Sequence, residues 1–266
     1  MQQRGFTLIE LLATIAMLAL LIGIMIPAIS GARSAGHSAV CASNVRQVQL
    51  ANDLYAHDHG ERCLTGAADF TGSNLHRWHG IRPSDDVSFQ SESGDITPYL
   101  GGSAVSRRVR GCPSFVGTIE DLCTREKGFE SGSGGYGYNR AYMGVERAQM
   151  SSGYWTIVDD TRGALRTIFA SPSATVAFAD AALAENELIE YSFVQPRKWP
   201  HTRRGRPDPS VHFRHAGRSN VAWLDGHVSS ERRTHTWKSG VYNEDPARLG
   251  IGWFGAHDDN RLFDYD

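Results

Sequence analysis

The sequence has almost no excess of charge of either sign: 27 Lys and Arg face 29 Asp and Glu, for a formal net charge of −2. Nucleic-acid-binding domains are usually strongly basic, so no nucleic-acid partner is expected. There is no CxxC pair, which argues against a zinc ribbon. There is no GxSxG, HExxH or EF-hand loop, and no repeat period. The expectation is therefore a protein that is not an enzyme. After the first thirty residues no stretch is apolar enough to cross a bilayer, which excludes a multispanning chain. With 41% hydrophobic and 21% charged residues, a disordered or collagen-like chain is excluded as well. Glycine, at 28 residues, is in surplus and points to a turn-rich fold.

What is present is concentrated at the start. Met1 to Gly5 form a short polar leader with one positive charge, Arg4. Positions 6–29 then hold 24 residues with a single ionisable group, Glu10. As a helix such a run reaches about 36 Å, enough to cross a hydrocarbon core of about 30 Å. A secretory signal peptide with a cleavage site near Ala28-Ile29-Ser30, or a plain membrane anchor, would each use this run. Neither requires Glu10. A charge at the centre of a membrane helix costs about 2.5–3.5 kcal/mol, less toward its ends, so such a residue is expected to have a partner.

Beyond Pro27 the pattern turns amphipathic. Cys41, Val45, Val48, Ala51 and Tyr55 recur at helical spacing, a stripe that predicts docking onto a globular head. Asn44, Arg46, Gln47, Gln49 and Asn52 are assigned to the remaining, polar surface. Gly31 and Gly36 weaken the junction, and Asp58-His59-Gly60 is a stop signal. The expected organisation is a leader at 1–5, a transmembrane helix at 6–29, an amphipathic continuation at 30–58 and a head at 59–266. In the head, the Gly-rich run 131–139 lacks the strand, helix and Lys of a phosphate loop and reads as tight turns with tyrosines packed across them. Strand signals at Ala174–Ala179, Ile189–Val194, Val211–His215 and Asn220–Leu224, separated by turns, predict an antiparallel sheet. The fold class is thus α+β, a long N-terminal helix packed on an antiparallel head.

The most patterned stretch of the head is 211–228. Ala216-Gly217-Arg218-Ser219 reads as a turn between two strands, and Asp225-Gly226 as a second turn leading to a third strand from His227. Two registers are open. The favoured one places His215, Val221, Trp223 and Asp225 on one face, with a His215–Asp225 hydrogen bond locking the hairpin. His212, His215, Asp225 and His227 are candidate metal ligands, although alternation separates His212 from His215. No nucleophile is placed for a His–Asp dyad. The acids Asp258, Asp259, Asp264 and Asp266 would suit calcium, against a simpler reading as a solvated tail.

Gly5-Phe6-Thr7-Leu8-Ile9-Glu10-Leu11-Leu12 resembles the type III signal of type IV pilins and type II secretion pseudopilins. The resemblance implies cleavage between Gly5 and Phe6 by a membrane prepilin peptidase, and N-methylation of Phe6. It also implies that Glu10 neutralises the Phe6 amine of a neighbouring subunit in a filament. Pro27 falls where helices of that family carry a proline. The head resembles the bacterial group of prepilin-type processing-associated proteins with a His-x9-Asp-Gly signature, here His215, Asp225 and Gly226. Further family-like pieces are Cys41-Ala-Ser-Asn44, Cys112-Pro113, Tyr136-Gly-Tyr-Asn139 and Ser171–Thr175 leading to Asp180; nothing after about position 230 matches.

Four cysteines allow three pairings, and an exported head is expected to form disulfides. Because Cys41 and Cys112 both lie in family-like pieces, the resemblance implies Cys41–Cys112, leaving Cys63–Cys123, with local closure of Cys112–Cys123 as the rival. The resulting expectation is a single-pass bacterial inner-membrane protein, Arg4 on the cytoplasmic side, head in the periplasm or on the cell surface. Its partners would be prepilin peptidase, membrane lipid and other pilin or pseudopilin subunits. The alternative is a membrane-tethered head that binds or hydrolyses a glycan or other ligand, using the six Trp and nine Tyr.

Overall fold

The computed structural model describes residues 7–70, 72–102, 109, 111–115, 130, 132–185, 187–201 and 205–265. Gly5, Phe6, Cys123 and Asp266 lie outside these residues.

Helix α1 (Leu8–Asp58) takes up the whole rod in 51 residues, a length of about 77 Å at 1.5 Å per residue. Its start is a capping box. The Glu10 N–H donates to Thr7 Oγ1 at 3.3 Å, while Glu10 Oε2 accepts from the Thr7 N–H at 2.9 Å and hydroxyl at 2.8 Å. Pro27, Gly31 and Gly36 do not break the helix. It stops at His59, whose N–H reaches back to Tyr55 and Ala56, followed by Gly60 at φ +66.

The head is organised on a four-stranded antiparallel sheet: β1 (Tyr136–Tyr138), β2 (Val176–Asp180), β3 (Arg218–Trp223) and β4 (Val228–Arg232). Each strand pairs with its neighbour in chain order, so the spatial order is β4-β3-β2-β1. β2 is buried along its full length because rings cover one face and the helix the other. Tyr138 stacks on Phe178 at 4.7 Å between ring centres, and Trp78 meets Phe178 edge-on at 5.2 Å. Gly137 has no alternative in β1, since a Cβ there would meet the Ala181 Cβ and the Phe193 carbonyl carbon at 2.6 Å. Asn139 ties the end of β1 to the C-terminal segment, donating to the carbonyls of Val176 (2.9 Å) and Phe263 (2.8 Å).

α1 lies mainly across β3, with β2 and β4 beside it. Cys41, Val45, Val48 and Ala51 are buried there, and Tyr55 is half-buried, as the stripe predicts. The polar assignment needs correction. Arg46 and Gln47 face solvent, but Asn44, Gln49 and Asn52 are buried, their amides paired with backbone groups of the head. Asn44 donates to Gly111 O at 3.1 Å and Gln49 to Leu224 O at 3.2 Å, while Asn52 Oδ1 accepts the Leu64 N–H at 2.9 Å.

The C-terminal segment also differs from expectation. Phe263 and Tyr265 are buried, and Tyr265 donates its hydroxyl to Tyr142 O at 2.9 Å, so the tail is part of the core. Among the described residues, its acids Asp258 and Asp259 take separate cationic partners. Asp258 is held by Arg206 at 2.6 Å and Asp259 by Arg261 at 2.7 Å.

Candidate functional site

The sequence marks two regions, the helix start and the His215/Asp225 segment. At the first, Leu8, Ile9, Leu11, Leu12 and the apolar residues through Ile29 are all exposed. The helix is long and apolar enough there to cross a membrane, and none of this stretch touches the head. Glu10 sits on the first turn of that exposed surface and has a partner within its own chain, Thr7. The N-terminal motif therefore carries two separable roles for one carboxyl: a cap for the helix and a charge on an apolar rod.

At the second region the structure separates the residues that the spacing suggested would meet. Ala216 (φ +52) and Gly217 (φ +78) form a two-residue turn, with paired hydrogen bonds between His215 and Arg218 at 3.0 and 3.1 Å. β3 follows at once, and the Asp225-Gly226 turn closes it at the other end. A strand of this length, at about 3.3 Å per residue, holds His215 and Asp225 about 20 Å apart. The expected His215–Asp225 bond is thus not formed. Asp225 Oδ1 instead accepts from its own turn, the His227 N–H at 3.1 Å and Nδ1 at 2.6 Å, with the Trp223 and His227 rings stacked above it. Gly226 supplies the required φ of +90. The strand Val211–His212 pairs with Ile251–Gly252, not with β3, so neither expected hairpin register is adopted. His212 is buried against Phe115, and burial holds its imidazole well below the ordinary value.

His215 points inward to a partner that sequence reasoning missed. Its Nε2 lies 3.3 Å from Asp180 Oδ2 and 3.7 Å from Cys112 Sγ. Cys112 is bonded to Cys41, with Cα atoms 5.3 Å apart, as the resemblance implied. The four side chains Cys41, Cys112, Asp180 and His215 are all buried, and their ligand atoms lie within 4.8 Å of one another. Asp180 falls at the end of a strand signal, where nothing in its neighbours' pattern connects it to His215. The bridge closes a loop of 71 residues between rod and head, and loop-closure entropy for that length amounts to about 4 kcal/mol. Replacing Cys41 and Cys112 together by Ser is expected to lower unfolding stability by about 2–4 kcal/mol, read from the urea midpoint of the head's tryptophan fluorescence.

The second expected bridge, Cys63–Cys123, has one partner, Cys123, outside the described residues; Cys63 itself is a free, buried thiol. Burial pushes that thiol up to about 12, which leaves it protonated and inert. The Gly-rich run also has a definite role. The N–H groups of Gly132 and Gly134 and the Ser133 hydroxyl all donate to the buried Glu190 carboxylate, so this loop cradles a side chain of its own head where a phosphate loop would take a ligand.

The junction of rod and head contains a titrating group. Asp53 accepts from Gln49 at 2.9 Å and meets Arg166 Nη2 at 3.1 Å. Burial, aided by Asp225 and opposed by Arg166, pushes its carboxyl up to about 6 from 3.8. The unfolded chain then releases this proton first, so Asp53 costs stability as pH rises from about 4 to about 6. Allowing for its partial exposure, the loss is about 1–2 kcal/mol. Comparing urea midpoints at both ends of that window, Asp53→Asn is expected to lose this part of the wild-type pH dependence.

In the head, a cleft of about 270 Å³ is lined by Phe70, Tyr191, Trp199 and Tyr242 together with Arg77, Glu130 and Asp208. Its acids are engaged: Glu130 by Arg77 and Ser192, and Asp208 by Ser239 and the Gly240 N–H.

Residues 1–26 match the family model of the prokaryotic N-terminal methylation motif. No curated protein and no solved structure gives a significant match to the chain. The chain thus carries a prepilin-type N-terminal methylation motif at the head of an exposed apolar helix, which supports a prepilin-like reading of it. The motif implies processing by a prepilin peptidase.

Proposed function

We propose that this chain is a non-enzymatic filament subunit. Cleavage after Gly5 and methylation of Phe6 would release a mature rod, anchored in the bacterial inner membrane with its head in the periplasm or on the cell surface. The rods then pack in parallel in a filament of the type II secretion or type IV pilus kind, each Glu10 meeting the Phe6 amine of an adjacent copy. The observation that carries this reading is the methylation motif set on a helix whose apolar surface is wholly exposed through Ile29. Val40, Leu50 and Leu54, exposed below the membrane stretch, extend an apolar surface for neighbouring copies along the rod. The test is the mass of the mature N-terminus isolated from cells. A chain beginning at methylated Phe6 supports the reading, whereas one beginning at Met1 or near Gly31 rejects it.

The aromatic cleft favours a second reading, a tethered head that binds a glycan. Rings flanking polar groups suit sugar faces, and the engaged acids make binding, not hydrolysis, its natural form. Fluorescence titration of the full chain with soluble oligosaccharides tests it. A response that survives Trp199→Ala would discard the cleft as the binding site.

A further inference from the structure

The buried group at the end of β2 has more coordinating capacity than a disulfide needs. We propose that, once the Cys41–Cys112 bridge is reduced, Cys41, Cys112, His215 and Asp180 bind one divalent cation of the zinc type. This is independent of whether the chain forms filaments.

The argument is geometric first. A tetrahedral cation held at about 2.3 Å by sulfur and about 2.0 Å by nitrogen or oxygen sets its ligand atoms about 3.3–3.8 Å apart. His215 Nε2 already stands 3.3 Å from Asp180 Oδ2 and 3.7 Å from Cys112 Sγ. All four ligand atoms lie within 4.8 Å of one another, so the main movement required is separation of the two sulfurs. The donor set of two thiolates, one imidazole and one carboxylate suits zinc better than calcium or magnesium.

Two further observations point to a ligand. Asp180 is fully buried, yet its Oδ1 makes no hydrogen bond among the described residues, so a second carboxylate oxygen besides Oδ2 is open to a cation. Its Oδ2 accepts the Asn220 N–H at 2.7 Å, which fixes the carboxylate's orientation. The charge also balances. Two thiolates, a carboxylate and a dication leave one negative charge, and the buried Arg214 guanidinium stands 3.9 Å from Asp180 Oδ1 to offset it.

The chemistry closes with a phosphine reductant. The S–S bond breaks, phosphorus is oxidised to the phosphine oxide, and water supplies that oxygen together with the two protons taken up by the sulfurs. The cation then displaces both thiol protons to solvent and forms two metal–sulfur bonds. In the oxidised chain the sulfurs are spent on each other, so bridge and metal exclude one another.

The experiment uses the full chain in detergent, with Cys123→Ser to remove the remaining cysteine outside the group while the buried Cys63 stays in place. After reduction with the phosphine, Co2+ is titrated in and then displaced by Zn2+. One Co2+ per chain with a thiolate-to-cobalt charge-transfer band is expected, and no such band from the oxidised chain. The band should vanish in Cys41→Ser/Cys112→Ser, and His215→Gln should weaken binding by at least about tenfold. Absence of the band in the reduced chain, or an equal band in the oxidised or double-serine chain, overturns the proposal. Should reduction alone abolish the near-ultraviolet dichroism of the head, its recovery on adding Zn2+ supports the site, and failure to recover counts against it.

Discussion

Exchanging Glu10 for glutamine is expected to remove the chain from filaments while leaving its helix start intact. The capping box needs an acceptor at this position, and a glutamine side chain supplies one as a glutamate does. The proposed assembly contact instead needs the negative charge, because its partner is the amine of an adjacent copy. Breaking an ion pair held away from water costs about 3 kcal/mol or more, so incorporation should fall by about a hundredfold or more. The readout is the ratio of chain in sheared filaments to chain in membranes, by immunoblot. Glu10→Ala removes both roles and should be no better incorporated. If Glu10→Gln enters filaments as wild type does, the carboxyl is only a cap and the assembly contact proposed for it is wrong.

Replacing Arg77 by methionine is expected to destabilise the head by about 3–5 kcal/mol. Arg77 and Glu130 form an ion pair with side-chain exposures of 1% and 4%, too deep for water to take over either charge. Arg77 Nε donates to Glu130 Oε2 at 3.1 Å, and Nη2 also reaches Asn74 Oδ1 at 2.7 Å. The guanidinium sits among the rings of Phe70, Phe89 and Phe193. Methionine fills much of the space but strands the Glu130 carboxylate, which among the described residues then keeps the Ser192 hydroxyl at 2.7 Å. Adding Glu130→Leu should recover a large part of the loss, since the penalty lies in the unpaired charge and not in the missing bond. Urea denaturation followed by tryptophan fluorescence measures both variants; a single variant within 1 kcal/mol of wild type would contradict the buried-charge account.

The rod was legible because its information is periodic and local. The stripe Cys41, Val45, Val48, Ala51 and Tyr55 sets a face at helical spacing whatever it packs against. The same periodicity says nothing of Asn44, Gln49 and Asn52, whose burial depends on which carbonyls and amides the head leaves unpaired. In the His215–Asp225 segment the two turns were readable from Gly217 and Gly226. The pairing was not, because β3 takes its partners from residues 176–180 and 228–232. The nine-residue spacing reports the length of one strand, and a strand keeps its two ends apart.

By itself, the sequence determined the long helix, the processing signal, the single acid on an apolar surface and the antiparallel character of the head. Each follows from interactions among residues close in the chain, or from how many apolar residues run together. Only the tertiary structure decided that His215 turns to Asp180 and the Cys41–Cys112 bridge, that Cys63 stays free, and that the C-terminal aromatics enter the core. Those contacts join segments separated by tens of residues, and they form where folding removes polar and aromatic groups from water and leaves each of them a particular neighbour.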